Sequence, residues 1–136
     1  MTDLEDVMEL ANGLNVLKRV QDNGASLLPT DTRVTDQENF RTAALAMFVE
    51  LGELVNECQW KPWRDYRRPT DSEKQKILKE MADVLHMWAW MANALEDRFG
   101  LDGAHFAAAF IEVAAENRRR FRGEVPGREP PVEVRS

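Results

Sequence analysis

Glu50 with Glu53 and Glu80 with Asp83 form two pairs of carboxylates, each spaced three residues apart. On a helix that spacing brings both members of a pair to one face. Hard cations such as Mg²⁺ take oxygen ligands and are commonly held by a few carboxylates completed by the phosphates of a substrate. The pattern implies a Mg²⁺-dependent enzyme acting on a phosphorylated small molecule. A single ExxE in so charged a chain is ordinarily a solvated helix face. Glu50 and Glu80, however, border apolar stripes, where an ionised carboxylate is costly unless it is paired or bound to metal. Lys76 and Lys79 are too few to neutralise four acids. Glu57 shares the flank of Glu50 and reads as a solvated or salt-bridged residue.

The elements that must position these acids are helices. Apolar residues recur at helical spacing in four segments, and none alternates with the two-residue period of a half-buried strand. The first segment runs from about Asp3 to Val20 and is broken by Gly24 and the LLPTDT stretch. The second, about Asp36 to Gln59, starts at a residue suited to capping free backbone amides. Its stripe is Phe40, Ala44, Met47, Leu51, Val55 and Cys58. A connector, WKPWRDYRRP, follows, in which Pro62 and Pro69 prevent continuous helix. The third segment spans about Ser72 to Arg98, with Ile77, Met81, Val84, Trp88 and Leu95 as its stripe and Glu80 and Asp83 beside it. The fourth covers about Gly103 to Arg122. Two neighbouring helices so patterned can turn both acidic pairs into one crevice. Leu45, Val49 and Gly52 make a second apolar side on the second helix, and a helix apolar on two sides is usually buried on two. A homodimer or larger homo-oligomer is therefore expected.

Bulk properties set the remaining bounds. A chain of 136 residues suits one domain with a modest core, expected over residues 1–123, with a Gly- and Pro-rich tail at 124–136. A net charge of -6 argues against a nucleic-acid partner, whose affinity comes from clustered Lys and Arg. One cysteine, Cys58, excludes an intramolecular disulfide and suits a reducing compartment. The acidic start lacks the form of a secretory signal, and no apolar run is long enough to span a bilayer. These features together make a cytoplasmic location the expectation, with no membrane partner.

The runs VELGELVNECQWKPWR, KEMADVLHMW and ENRRR resemble the all-α nucleoside triphosphate pyrophosphohydrolases, the superfamily of MazG proteins and dimeric dUTPases. The tryptophan connector is most similar to that of the dimeric dUTPases. Their pattern is an ExxE helix leading into WKxW, an ExxD helix with His three residues on, and a last helix with Asn and Arg. Glu50, Glu53, Trp60, Lys61, Trp63, Glu80, Asp83, His86, Asn117 and Arg120 match it in order, over roughly Met47 to Arg122, with a weaker echo in the first segment.

This resemblance implies a bundle of four to five helices that hydrolyses dUTP to dUMP and diphosphate. It implies two or three Mg²⁺ ions, with Mn²⁺ as a substitute, on Glu50, Glu53, Glu80 and Asp83. Catalysis of phosphoryl transfer is mostly positioning and neutralisation of developing charge, which such ions suit. The nucleophile is water, and its proton goes to a glutamate of the first pair, Glu53 before Glu50. Amide side chains of the first helix, here Asn12 and Asn15, would read the base. Trp60 and His86 would wall the base and sugar pocket, with Lys61 and Trp63 of the same element also at the substrate. Asn117 and Arg120 would meet the phosphates. In the family a lysine precedes that Asn by four residues, but here the position is Val113. Arg118, Arg119, Arg122 or Arg64 would have to make up the charge, although Arg118 and Arg119 read better as cations complementing a helix C-terminus. Phe121 stands where the family tends to have Gln, and Pro62 kinks the tryptophan element.

Two alternatives compete. One is a MazG-like pyrophosphohydrolase for another nucleotide. The other is a non-hydrolytic metal-binding bundle, because di-iron bundles use Glu-x-x-His twice with two further glutamates. Asp83 with His86, and Asp102 with His105, approximate that spacing, the second at a helix start rather than mid-bundle.

Overall fold

A computed structural model describes residues 3–25 and 36–124. Four helices follow one another: α1 (Asp3–Ala25), α2 (Asp36–Glu57), α3 (Asp71–Phe99) and α4 (Gly103–Phe121). No strand occurs among the described residues. The four expected segments are all present, and α1 alone departs by more than two residues, because it continues through Gly24 to Ala25. One interior glycine costs a helix only about 1 kcal/mol. The LLPTDT loop, the side chain of Asp36 and the tail from residue 125 lie outside the described residues.

The chain divides into two compact units, one formed by residues 1–15 and 103–136, the other by residues 16–102. In the larger unit α2 packs along α3. α3 is the best-defined helix by its ends. Thr70 caps it with its side chain on the Glu73 amide, and Glu73 reaches back to complete a capping box. Gly100 closes it in the left-handed region at φ 69°, donating its N–H to the Glu96 carbonyl at 2.8 Å. Near the same end, Lys18 of α1 is only 4% exposed and pairs with Glu96 of α3. Asn93 Nδ2 donates to both the Lys18 carbonyl (2.9 Å) and Gln21 Oε1 (2.7 Å). These polar ties fix the C-terminal half of α1 on α3.

The core is built from small residues. Ala43 on α2 and Ala89, Ala92 and Ala94 on α3 are buried, and no large side chain is fully buried among the described residues. The expected α2 stripe is thus only partly inward: Phe40, Ala44 and Met47 are half-buried, whereas Leu51 and Val55 are exposed. Leu45 (68%), Phe48 (73%) and Val49 (61%) stand further out.

In the smaller unit α4 starts against α1. Gly103 is buried, and a Cβ there would run into the Asn15 side chain and lie 3.2 Å from the Ala11 carbonyl oxygen. Ala11 and Ala107 are also buried. α4 ends in Arg118, Arg119 and Arg120, cations suited to the negative end of a helix.

Candidate active site

The parallel layout of the two acidic motifs is realised where α2 packs along α3. Ligand oxygens of Glu50, Glu80 and Asp83 all lie within 4.8 Å of one another, and all three residues are half-buried. Glu53, one turn after Glu50, is exposed and outside this tightest convergence. It is still the strongest like charge acting on both Glu50 and Glu80.

The electrostatics of the cluster are those of too many anions in one place. Partial burial holds the Glu50 carboxyl above the usual carboxylate range, and the charges of Glu53, Asp83 and Glu80 push it further. Burial does the same to Glu80, followed by Glu53, Asp83 and Glu57, with Lys79 opposing. Glu57, half-buried on the flank it shares with Glu50, adds its charge to this acidic neighbourhood. One oxygen of Glu80, Oε2, is shielded from solvent and has no hydrogen-bond partner among the described residues. A buried carboxylate oxygen left so is costly, and a divalent cation among three converging carboxylates would satisfy it. The donor set, all hard oxygen, fits Mg²⁺ or Mn²⁺.

The connector after α2 brings its aromatic and cationic residues together. Trp60 Nε1 donates to Asn56 Oδ1 of α2 at 3.2 Å. Trp63 meets Trp60 edge to face, with ring centroids 5.9 Å apart, and Lys61 Nζ stands 6.0 Å from the Trp60 ring centre. Asn56, Gln59, Trp60, Lys61, Arg64, Asp65, Tyr66 and Arg67 line a recess of about 370 Å³. An aromatic wall with nearby cations suits a base and its phosphates.

A sequence profile described as dUTPase matches residues 13–100. The chain belongs to this family, the all-α dUTPases. No curated protein and no solved structure gives a match. The dUTPase match takes in both acidic motifs, the tryptophan connector and most of α1, including Asn15 but not Asn12. It ends before α4, whereas the resemblance read from the residues ran on to Arg122.

The other expected site residues are placed as follows. His86 is exposed on α3, one turn after Asp83. Asn12 and Asn15 are exposed on α1, with Asn15 against Gly103. On α4, Asn117 is half-buried, and Arg120 lies 3.7 Å from Glu116. Val113, where a dUTPase lysine is expected, is 53% exposed.

Proposed function

We propose that the protein is a Mg²⁺-dependent dUTP diphosphatase, converting dUTP and water to dUMP and diphosphate. The observation that carries this reading is the convergence of Glu50, Glu80 and Asp83 in a chain of the dUTPase family. Glu50, Glu53, Glu80 and Asp83 would hold the ions, and bound Mg²⁺ would supply positive charge to the triphosphate. Glu53 is best suited to take the proton from the attacking water, since it borders the cluster and faces solvent, and Glu50 stands second in that role. The water oxygen becomes bonded to phosphorus as the bond between the α and β phosphoryl groups breaks. Trp60 and His86 would bound the base and sugar, and Lys61 and Trp63 would complete that wall.

The exposed Leu45, Phe48 and Val49 side of α2 supports a homodimer, because a contiguous apolar face of this kind is a usual interface. Within the described residues no helix is long and apolar enough to cross a membrane, and the function proposed suits the cytoplasm.

A second reading, a related pyrophosphohydrolase for another nucleotide, is favoured by Val113, which stands where the resemblance implies a phosphate-binding lysine. Diphosphate release measured across dUTP, dCTP, dTTP, dATP, dGTP and UTP with Mg²⁺ tests both. A kcat/KM highest for dUTP supports the first reading; a preference for another base supports the second.

A further inference from the structure

Gln59 has the one left-handed backbone among the described non-glycine residues, at φ 50°. Such a conformation is unfavourable for a residue with a side chain and persists where its surroundings impose it. Here the side chain does so. Gln59 Nε2 donates to the Arg67 carbonyl at 3.0 Å, and the Arg67 N–H donates to Gln59 Oε1 at 3.3 Å. The amide therefore pairs with both backbone groups of one residue, as a neighbouring strand would, and closes the segment between them. That segment carries Trp60, Lys61 and Trp63.

The closure continues into α3. The Arg67 guanidinium forks onto the Glu73 carboxylate, at 2.9 and 3.1 Å. Glu73 also accepts from the Thr70 hydroxyl at 3.0 Å within the capping box. A chain of contacts, Gln59 to Arg67 to Glu73 to Thr70, thus ties the end of α2 to the start of α3. The two helices it joins are those that carry the acidic motifs.

We propose that Gln59 is a positioning residue, which holds the Trp60–Lys61–Trp63 element in the arrangement that receives the nucleotide. The proposal rests on the dUTPase reading above. Gln59 lines the recess beside Trp60 and Lys61, but both ends of its amide are committed to the Arg67 backbone, so its part is to set where the aromatic wall stands. Its loss weakens nucleotide binding more than the chemical step, because the carboxylates sit on helices that remain packed.

The test is steady-state kinetics with dUTP and Mg²⁺ on the full chain, with acrylamide quenching of tryptophan emission measured alongside. Gln59→Ala is expected to raise KM about tenfold, a change equivalent to about 1.4 kcal/mol, with kcat within about twofold, and to increase quenching. Gln59→Gly removes the clamp while relieving the backbone strain. It should behave like Gln59→Ala, and wild-type kinetics for it would overturn the proposal. Gln59→Glu keeps the acceptor for the Arg67 N–H but loses the donor, and should fall between. Arg67→Ala leaves both backbone groups that Gln59 uses and cuts only the Glu73 link, so a smaller rise in KM is expected. Turnover by the wild type with an unchanged KM in Gln59→Ala overturns this proposal alone. Absence of dUTP turnover in the wild type overturns the dUTPase reading and this proposal with it.

Discussion

Removing one charge from the acidic cluster should make the metal-free protein more stable and the metal-bound protein less so. Glu80→Gln is the change to make. It keeps the shape of the side chain, takes away one of three converging carboxylates, and leaves Glu50 and Asp83 with one like charge fewer. In EDTA the variant should therefore melt above the wild type. With Mg²⁺ the order reverses. A ligand bound only by the folded state at a hundred times its Kd adds about 2.7 kcal/mol, which for a chain of this size is roughly 8–13 °C in Tm. Outer-sphere changes at metal sites already cost about 10–100-fold in affinity, so losing a direct ligand should cost at least the lower figure. At the same Mg²⁺ concentration the gain then falls to about 1.4 kcal/mol or less, half the wild-type shift at best. Differential scanning fluorimetry in EDTA and in a Mg²⁺ series measures both effects. A Tm for Glu80→Gln that rises with Mg²⁺ as much as that of the wild type would mean that Glu80 holds no metal, and a lower Tm in EDTA would mean that the three carboxylates do not repel one another.

Further outcomes follow from the same structure. Glu50 and Glu80 are held above the usual range, so the folded protein keeps protons that the unfolded chain releases near pH 4.5. In EDTA, stability should thus decline as pH rises from about 4.5 through the raised values. Glu73 is held low by Arg67 and Thr70, so its contribution is present above pH 4.5 and lost below it. Urea midpoints across pH 3–8 should therefore peak on the acid side, and Mg²⁺ should flatten the upper limb. Glu96→Ala takes the carboxylate from buried Lys18 and should cost about 1–3 kcal/mol, less than a fully buried pair because Glu96 is half exposed, whereas Lys18→Met should be near neutral. Gly100→Ala places a side chain at φ 69° and should cost about 1–2 kcal/mol by chemical denaturation, with the α3 C-terminus fraying.

Much of this architecture could be read from residue spacing. Glu50, Glu80 and Asp83 converge because their positions relative to the apolar residues match on two helices, and period alone reveals that. The same rule misjudged the inward face of α2, where Ala43 is buried and Leu51 and Val55 are not. Neighbouring positions differ by only about 100° on a helix, and alanine carries little apolar weight in a pattern dominated by leucine and valine. Gln59 could not have been found by period at all. Its importance lies in a left-handed backbone and in an amide that reaches a residue eight positions away, and neither leaves a trace in composition or spacing. Asn15 was visible as an amide on α1, but its place against Gly103 depends on how tightly α4 begins there.

The most direct test of the account is the rate of diphosphate release from dUTP by the wild type and by Glu53→Gln, each with Mg²⁺ and with EDTA. Diphosphate release should require Mg²⁺, and Glu53→Gln should keep the helical circular dichroism of the wild type but turn over at least about a hundredfold more slowly, as loss of a general base entails. Undiminished release by Glu53→Gln, or equal release in EDTA, would contradict it.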